Sequence, residues 1–96
     1  MGRRTRMEIK EPEQEMKKLI KMIVEVSWIE NQFETGSRKT ECLYGNLRLN
    51  YSGRDKALRG IVNRAVKGGI VRIRSTGFGD FIVMTEIGKM ILKEMN

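Results

Sequence analysis

The sequence contains no histidine and a single cysteine, Cys42, among its 96 residues. The first absence excludes histidine-based general acid–base catalysis and every histidine-containing metal site. The second excludes an internal disulfide framework and a thiolate zinc site. It leaves Cys42 as a small buried hydrophobe or as half of an intermolecular bridge. Proline occurs once, at Pro12, and aromatic residues make up 6% of the chain. No apolar run approaches the ~20 residues of a membrane span, and the N-terminus lacks the apolar core of a secretory signal. The expectation is therefore a cytoplasmic, intracellular protein with no membrane partner. Asp80 and Glu86 are the one downstream carboxylate pair worth naming, and a turn residue beside a helix-start residue explains them better than catalysis does. Gly77-Phe78-Gly79 is too short, and lacks the following helix, to cradle a phosphate. With no dyad, triad or metal constellation to assemble, no enzyme, no catalytic residue, no metal and no cofactor are expected.

What is present is charge, and it is unevenly spread. The net charge is +7. Arg3, Arg4, Arg6 and Lys10 against Glu8 give residues 1–10 a charge of +3. Residues 52–74 carry Arg54, Lys56, Arg59, Arg64, Lys67, Arg72 and Arg74 against Asp55 alone, for +6. The two remaining stretches each sum to −1. Clustering of this kind suits a phosphate-binding surface rather than diffuse solubility charge, with acidic proteins and anionic lipid as other classes of partner.

The densest part of that charge lies on one helix, predicted over Ser52 to Lys67. At 100° per residue, Leu58, Ile61, Val62 and Ala65 fall on one side, and Lys56, Arg59, Gly60, Asn63 and Lys67 on the other. Ser52 and Asp55 have the spacing of a capping box, and Gly68-Gly69 supplies a stop. The plainer account of such a polar face is simple solvation; Gly60, a side-chain-free position between cations and an amide, favours close approach to a polyanion.

Residues 1–11 read as a basic arm, and residues 12–96 as one domain opened by Pro12 at a helix start. Met16, Leu19, Ile20, Ile23, Val26 and Ser27 form the buried stripe of that first helix. Met22, Ile29 and Phe33 flank it on one side, Val24 and Trp28 on the other. A short second helix is expected from Thr40, with Cys42, Leu43 and Leu47 inward. After Gly69 the period changes to two: Val71 and Ile73 face one way, Arg72 and Arg74 the other. Ser75 to Asp80 reads as a hairpin turn and Phe81 to Met84 as the returning strand. Thr85 caps a last helix in which Ile87, Met90, Ile91 and Met95 share a face. The fold class expected is mainly α with a small β-hairpin, in the order α-α-α-β-β-α.

Leu58, Ile61-Val62 and Ala65 followed by Gly69-Ile70-Val71 resemble a recognition helix that runs through a glycine into a wing strand. Met84-Thr85-Glu86-Ile87-Gly88-Lys89 resembles the hydrophobic-Thr-x-x-Gly-Lys segment that leaves the wing. In that order, over about Leu43 to Met95, they resemble the winged helix-turn-helix regulators of the MarR and PadR kind. The residue usage is similar to that of very short archaeal and archaeal-virus members. The resemblance implies a sequence-specific double-stranded DNA-binding regulator of transcription, with the basic helix in the major groove and the wing on the adjacent minor groove or backbone. Arg59 and Asn63, one turn apart, are then the base-reading pair, since arginine pairs bidentately with guanine and asparagine with adenine. Arg54, Lys56, Arg64 and Lys67 suit phosphates, and Arg72 and Arg74 act from the wing. The same fold also serves modules that bind RNA or a protein of the transcription machinery, and the apolar excess of the first helix suits an interaction module. That excess (Met22, Ile29 and Phe33), with Leu92 of the last helix, predicts a homodimer built on these two helices.

Overall fold

The computed structural model describes residues 2–31 and 40–95, with side chains of the first helix described from Gln14 onward. The elements are α1 (Gly2–Glu30), β1 (Glu41–Leu43), α2 (Tyr44–Asn50), α3 (Asp55–Lys67), β2 (Val71–Thr76), β3 (Gly79–Met84) and α4 (Glu86–Met95). The described residues are thus mainly helical, with one small antiparallel sheet in the order β1-β3-β2.

Helix α1 begins ten residues ahead of the start expected at Pro12, so the stretch read as an arm continues the helix. Arg, Met, Glu and Lys, which dominate residues 2–11, are strong helix formers, and one proline removes a single backbone donor. Further along, Met16, Leu19, Ile20, Ile23, Val26 and Ser27 are all buried, as their spacing predicts. The five apolar ones pack with Cys42, Leu47, Leu58, Val62, Ala65, Val71, Ile82 and Met84 into one core.

The second helix starts at Tyr44, not Thr40, because residues 41–43 are a strand. Cys42 pairs with Ile82, and the Thr40 carbonyl accepts the Met84 N–H at 2.8 Å. The force behind this is the far edge of β3, whose backbone groups need partners once they are buried. Glu30 fastens the corner: its Oε2 accepts the Leu43 N–H at 2.9 Å and Asn46 Nδ2 at 2.7 Å.

Helix α3 starts at Asp55 with Arg54 at the cap position and no side-chain cap bond, so the Ser52–Asp55 capping box does not form. Asp55 is occupied instead by Tyr44 and Arg59, at 2.9 Å and 3.0 Å. The helix ends as its glycines predict. Gly69 takes φ +74°, its N–H bonds the Val66 carbonyl, and the Ile70 N–H reaches back to the Ala65 carbonyl at 2.9 Å. This paired closure satisfies the last free carbonyls and turns the chain directly into β2.

The hairpin is longer than expected. Pairing runs from Val71↔Met84 out to Thr76↔Gly79, so only Gly77 and Phe78 make the turn. Thr85 then joins three elements: its hydroxyl bonds the carbonyls of Gly69 and Ile70, and accepts the Gly88 N–H at 3.2 Å. A methyl on Gly88 would overlap the Ile70 carbonyl oxygen. The Thr-x-x-Gly spacing is therefore a packing device, one hydroxyl and one bare Cα that let α4 sit against the α3–β2 joint. That approach rotates α4 from its expected orientation. Gly88, Ile91, Leu92 and Met95 turn inward, while Ile87 and Met90 remain 51% and 61% exposed.

Candidate nucleic-acid interface

The outer face of α3 carries Lys56, Arg59, Asn63 and Lys67, all exposed, with Arg54 exposed at its entry. Gly60 sits between them. A Cβ added there would meet only Arg64 Nη1, at 3.5 Å, so nothing in the protein's own packing requires a glycine in mid-helix.

The cations divide into paired and unpaired. Arg59 Nε donates to Asp55 Oδ2 at 3.0 Å, and Asp55 Oδ1 accepts the Tyr44 hydroxyl at 2.9 Å. This chain fixes the direction of Arg59, whose guanidinium also bears on the Tyr44 hydroxyl. Burial, reinforced by the hydrogen bond to Asp55, raises the Tyr44 phenol above its ordinary value of 10.0. Arg64, expected to meet phosphate, instead forms a two-point pair with Glu15 of α1 at 3.0 and 2.8 Å. Arg74 pairs with Glu41 of β1 at 2.9 Å and stacks over Phe81, 4.8 Å from the ring centroid. Both are partly exposed ion pairs, of a kind that contributes little stability and yields to a stronger anion. Among the described residues, Arg54, Lys56, Lys67 and Arg72 make no ion pair.

Strand register sets Arg72 beside Val83 and Arg74 beside Phe81 on one sheet face, with Val71 and Ile73 on the other. Ile73 is nonetheless 46% exposed, because it lies past the cover of α3. There it lines an open groove of about 230 Å³ between helix and hairpin, together with Tyr44, Arg59, Val62, Asn63, Asp80 and Ile82. The two residues chosen as base readers therefore border the same depression as the hairpin. Arg72 and Arg74 lie on the sheet face away from it. Tyr44 and Asp80 belong to the groove too. Asp80, read from the sequence as a turn residue, lies within β3 opposite Ser75, whose hydroxyl it accepts at 2.9 Å. The signal that would have found it is the alternation of Arg72–Ser75 continued across the turn.

Cys42 lies elsewhere, fully buried in β1. Burial, aided by Glu30 and Glu41, pushes its thiol up to about 12. It is a core residue held protonated, out of reach of a bridge to another chain in the folded state. Among the described residues no group of His, Cys, Asp or Glu is placed to hold a metal, and no helix is long and apolar enough to cross a membrane. Compared with protein-family models, curated proteins and solved structures, the chain matches none.

Proposed function

We propose that this chain binds double-stranded DNA sequence-specifically, as a regulator of transcription built like a winged helix-turn-helix domain. Helix α3 enters the major groove, and the β2–β3 hairpin lies over the adjacent minor groove and backbone. The observation that carries this reading is the exposed face of α3. It holds a directed arginine and an asparagine that line the groove bordering the hairpin, with flanking lysines and a bare glycine on the same helix. A solvated helix face has no use for a mid-helix glycine that packing does not require, because glycine there costs about 1 kcal/mol relative to alanine. Arg59 and Asn63 read base edges. Lys56, Lys67, Arg54 and Arg72, unpaired among the described residues, contact phosphates. Asp80 repels phosphate from the groove floor and so favours base edges over backbone there.

A homodimer through α1 and α4 accompanies this function. Met22 and Leu92, expected to be exposed, pack against the core, and Phe33 lies outside the described residues. The apolar surface that supports a dimer is Ile29, as expected, joined by Ile87 and Met90, 46%, 51% and 61% exposed, with Trp28 next to Ile29 in sequence at 54%.

The test is selection from a random-sequence duplex pool at two salt concentrations. Four phosphate contacts predict a slope of log K against log salt of about −3.6, with clear enrichment of one sequence pattern. Failure to retain duplex, or retention without enrichment, overturns the reading.

A further inference from the structure

Phe78 is 91% exposed at the turn of the hairpin, the most exposed large apolar side chain among the described residues. Gly77 and Gly79 flank it and offer no side chain to shield the ring. The turn that carries it is nevertheless ordered. The Phe78 N–H donates to Thr76 Oγ1 at 3.1 Å, and the Thr76 hydroxyl donates to the Gly79 carbonyl at 2.7 Å. Ser75 bonds Asp80 across the strands just behind, and ladder pairing extends to Thr76↔Gly79. A ring presented on an ordered turn gives up little backbone freedom when it is inserted into a partner.

The reach of the hairpin identifies where it would insert. From Val71 to Thr76 the strand advances ~17 Å at ~3.3 Å per residue. Half of the ~34 Å repeat of duplex DNA is also ~17 Å, the distance from one groove to the next on one side of the duplex. With α3 in the major groove, the tip therefore arrives over the neighbouring minor groove. Lys67 at the end of α3, exposed and without an ion pair among the described residues, suits the phosphate strand that separates the two grooves.

We propose that Phe78 is a wedge that enters the minor groove, partly unstacks one base step and bends the duplex. This inference rests on the duplex-binding reading above. A phenyl ring has no donor or acceptor, so it selects deformability: pyrimidine–purine steps such as TA open more easily than stiff A-tracts. The hairpin thereby adds sequence preference without hydrogen-bonding a base.

The experiment uses two 30-base-pair duplexes, one with central TA steps and one with a central A-tract, each carrying a fluorescence energy-transfer pair at its ends. Wild type is compared with Phe78→Ala and Phe78→Leu, with folding checked by circular dichroism. The expected result is a bend of about 20–90° on the TA duplex for wild type, kept in part by leucine and lost with alanine. Phe78→Ala should still bind, within about ten-fold of wild-type affinity, because the cost of unstacking disappears with the wedge. Wild type that binds without bending, or Phe78→Ala that bends DNA as wild type does, overturns the wedge and leaves the binding function standing. A variant that alters only self-association or capture of another protein likewise overturns it. Failure of wild type to bind either duplex overturns both the wedge and the proposed function.

Discussion

Gly60→Ala separates what the fold needs from what a ligand needs. The new methyl would stand 3.5 Å from Arg64 Nη1, an ordinary contact with the end of a partly exposed side chain, and touch nothing else within 4 Å. Gly60 has no positive φ that would strain alanine. The fold should therefore gain the helix-propensity difference of about 0.5–1 kcal/mol. For a domain of this size that raises the unfolding temperature by roughly 2–8 °C. The same methyl would project from the polar face beside Lys56 and Lys67, ~60° round the helix from Asn63. If α3 lies close against base edges there, intrusion of a methyl into a fitted interface costs about 1–3 kcal/mol, or roughly 5- to 150-fold in affinity. Thermal unfolding and duplex titration of the same preparation give both numbers. A lowered unfolding temperature would refute the packing argument. A raised temperature with unchanged affinity would refute the close approach of this face to DNA.

Stability should fall in alkali because Cys42 keeps its proton when folded, up to about 12, against an ordinary value of 9.0. The unfolded chain loses that proton first, so the contribution is complete below pH 9 and is lost as pH rises, by about 1.4 kcal/mol at pH 10. Cys42→Ala should remove that part of the slope in urea unfolding at pH 8 and 10, and an equal loss in the variant would count against it. Gly88→Ala should destabilise by about 1–3 kcal/mol, since the Ile70 carbonyl it meets is backbone and cannot swing aside; a variant melting with wild type would refute the Thr-x-x-Gly account. Light scattering should give a dimer at micromolar concentration, reduced to monomer by Ile87→Glu with Met90→Glu, and a monomeric wild type would remove the proposed interface.

The sequence was most legible where a helix buries a regular stripe. Met16 through Ser27 and Leu58 through Ala65 could be placed because a 3.6-residue period has one solution when one face must be dry. The Gly68-Gly69 stop was legible for a similar reason, since the backbone at Gly69 needs a positive φ. What was not legible depends on partners distant in the chain. Residues 41–43 carry no strand signal of their own and become one because β3 has a free edge 40 residues later. The capping box failed because Tyr44, brought close by α2, engages Asp55. The inward face of α4 is chosen by Gly88 against the Ile70 carbonyl rather than by hydrophobic count. At the candidate interface the residue types were readable, but the pairing of Arg64 with Glu15 and Arg74 with Glu41 was not, nor the presence of Asp80 in the groove.

The claim that α3 reads sequence is tested most directly by position-resolved binding profiles of wild type, Arg59→Ala, Asn63→Ala and Lys67→Ala. The account predicts that Arg59→Ala loses about 1–3 kcal/mol and relaxes selectivity at one position. Asn63→Ala should do the same at a neighbouring position, one helical turn or ~5.4 Å further along. Lys67→Ala should weaken all sequences alike and lower the salt slope by about one unit. Duplex binding by all three variants with wild-type affinity and selectivity would contradict the account.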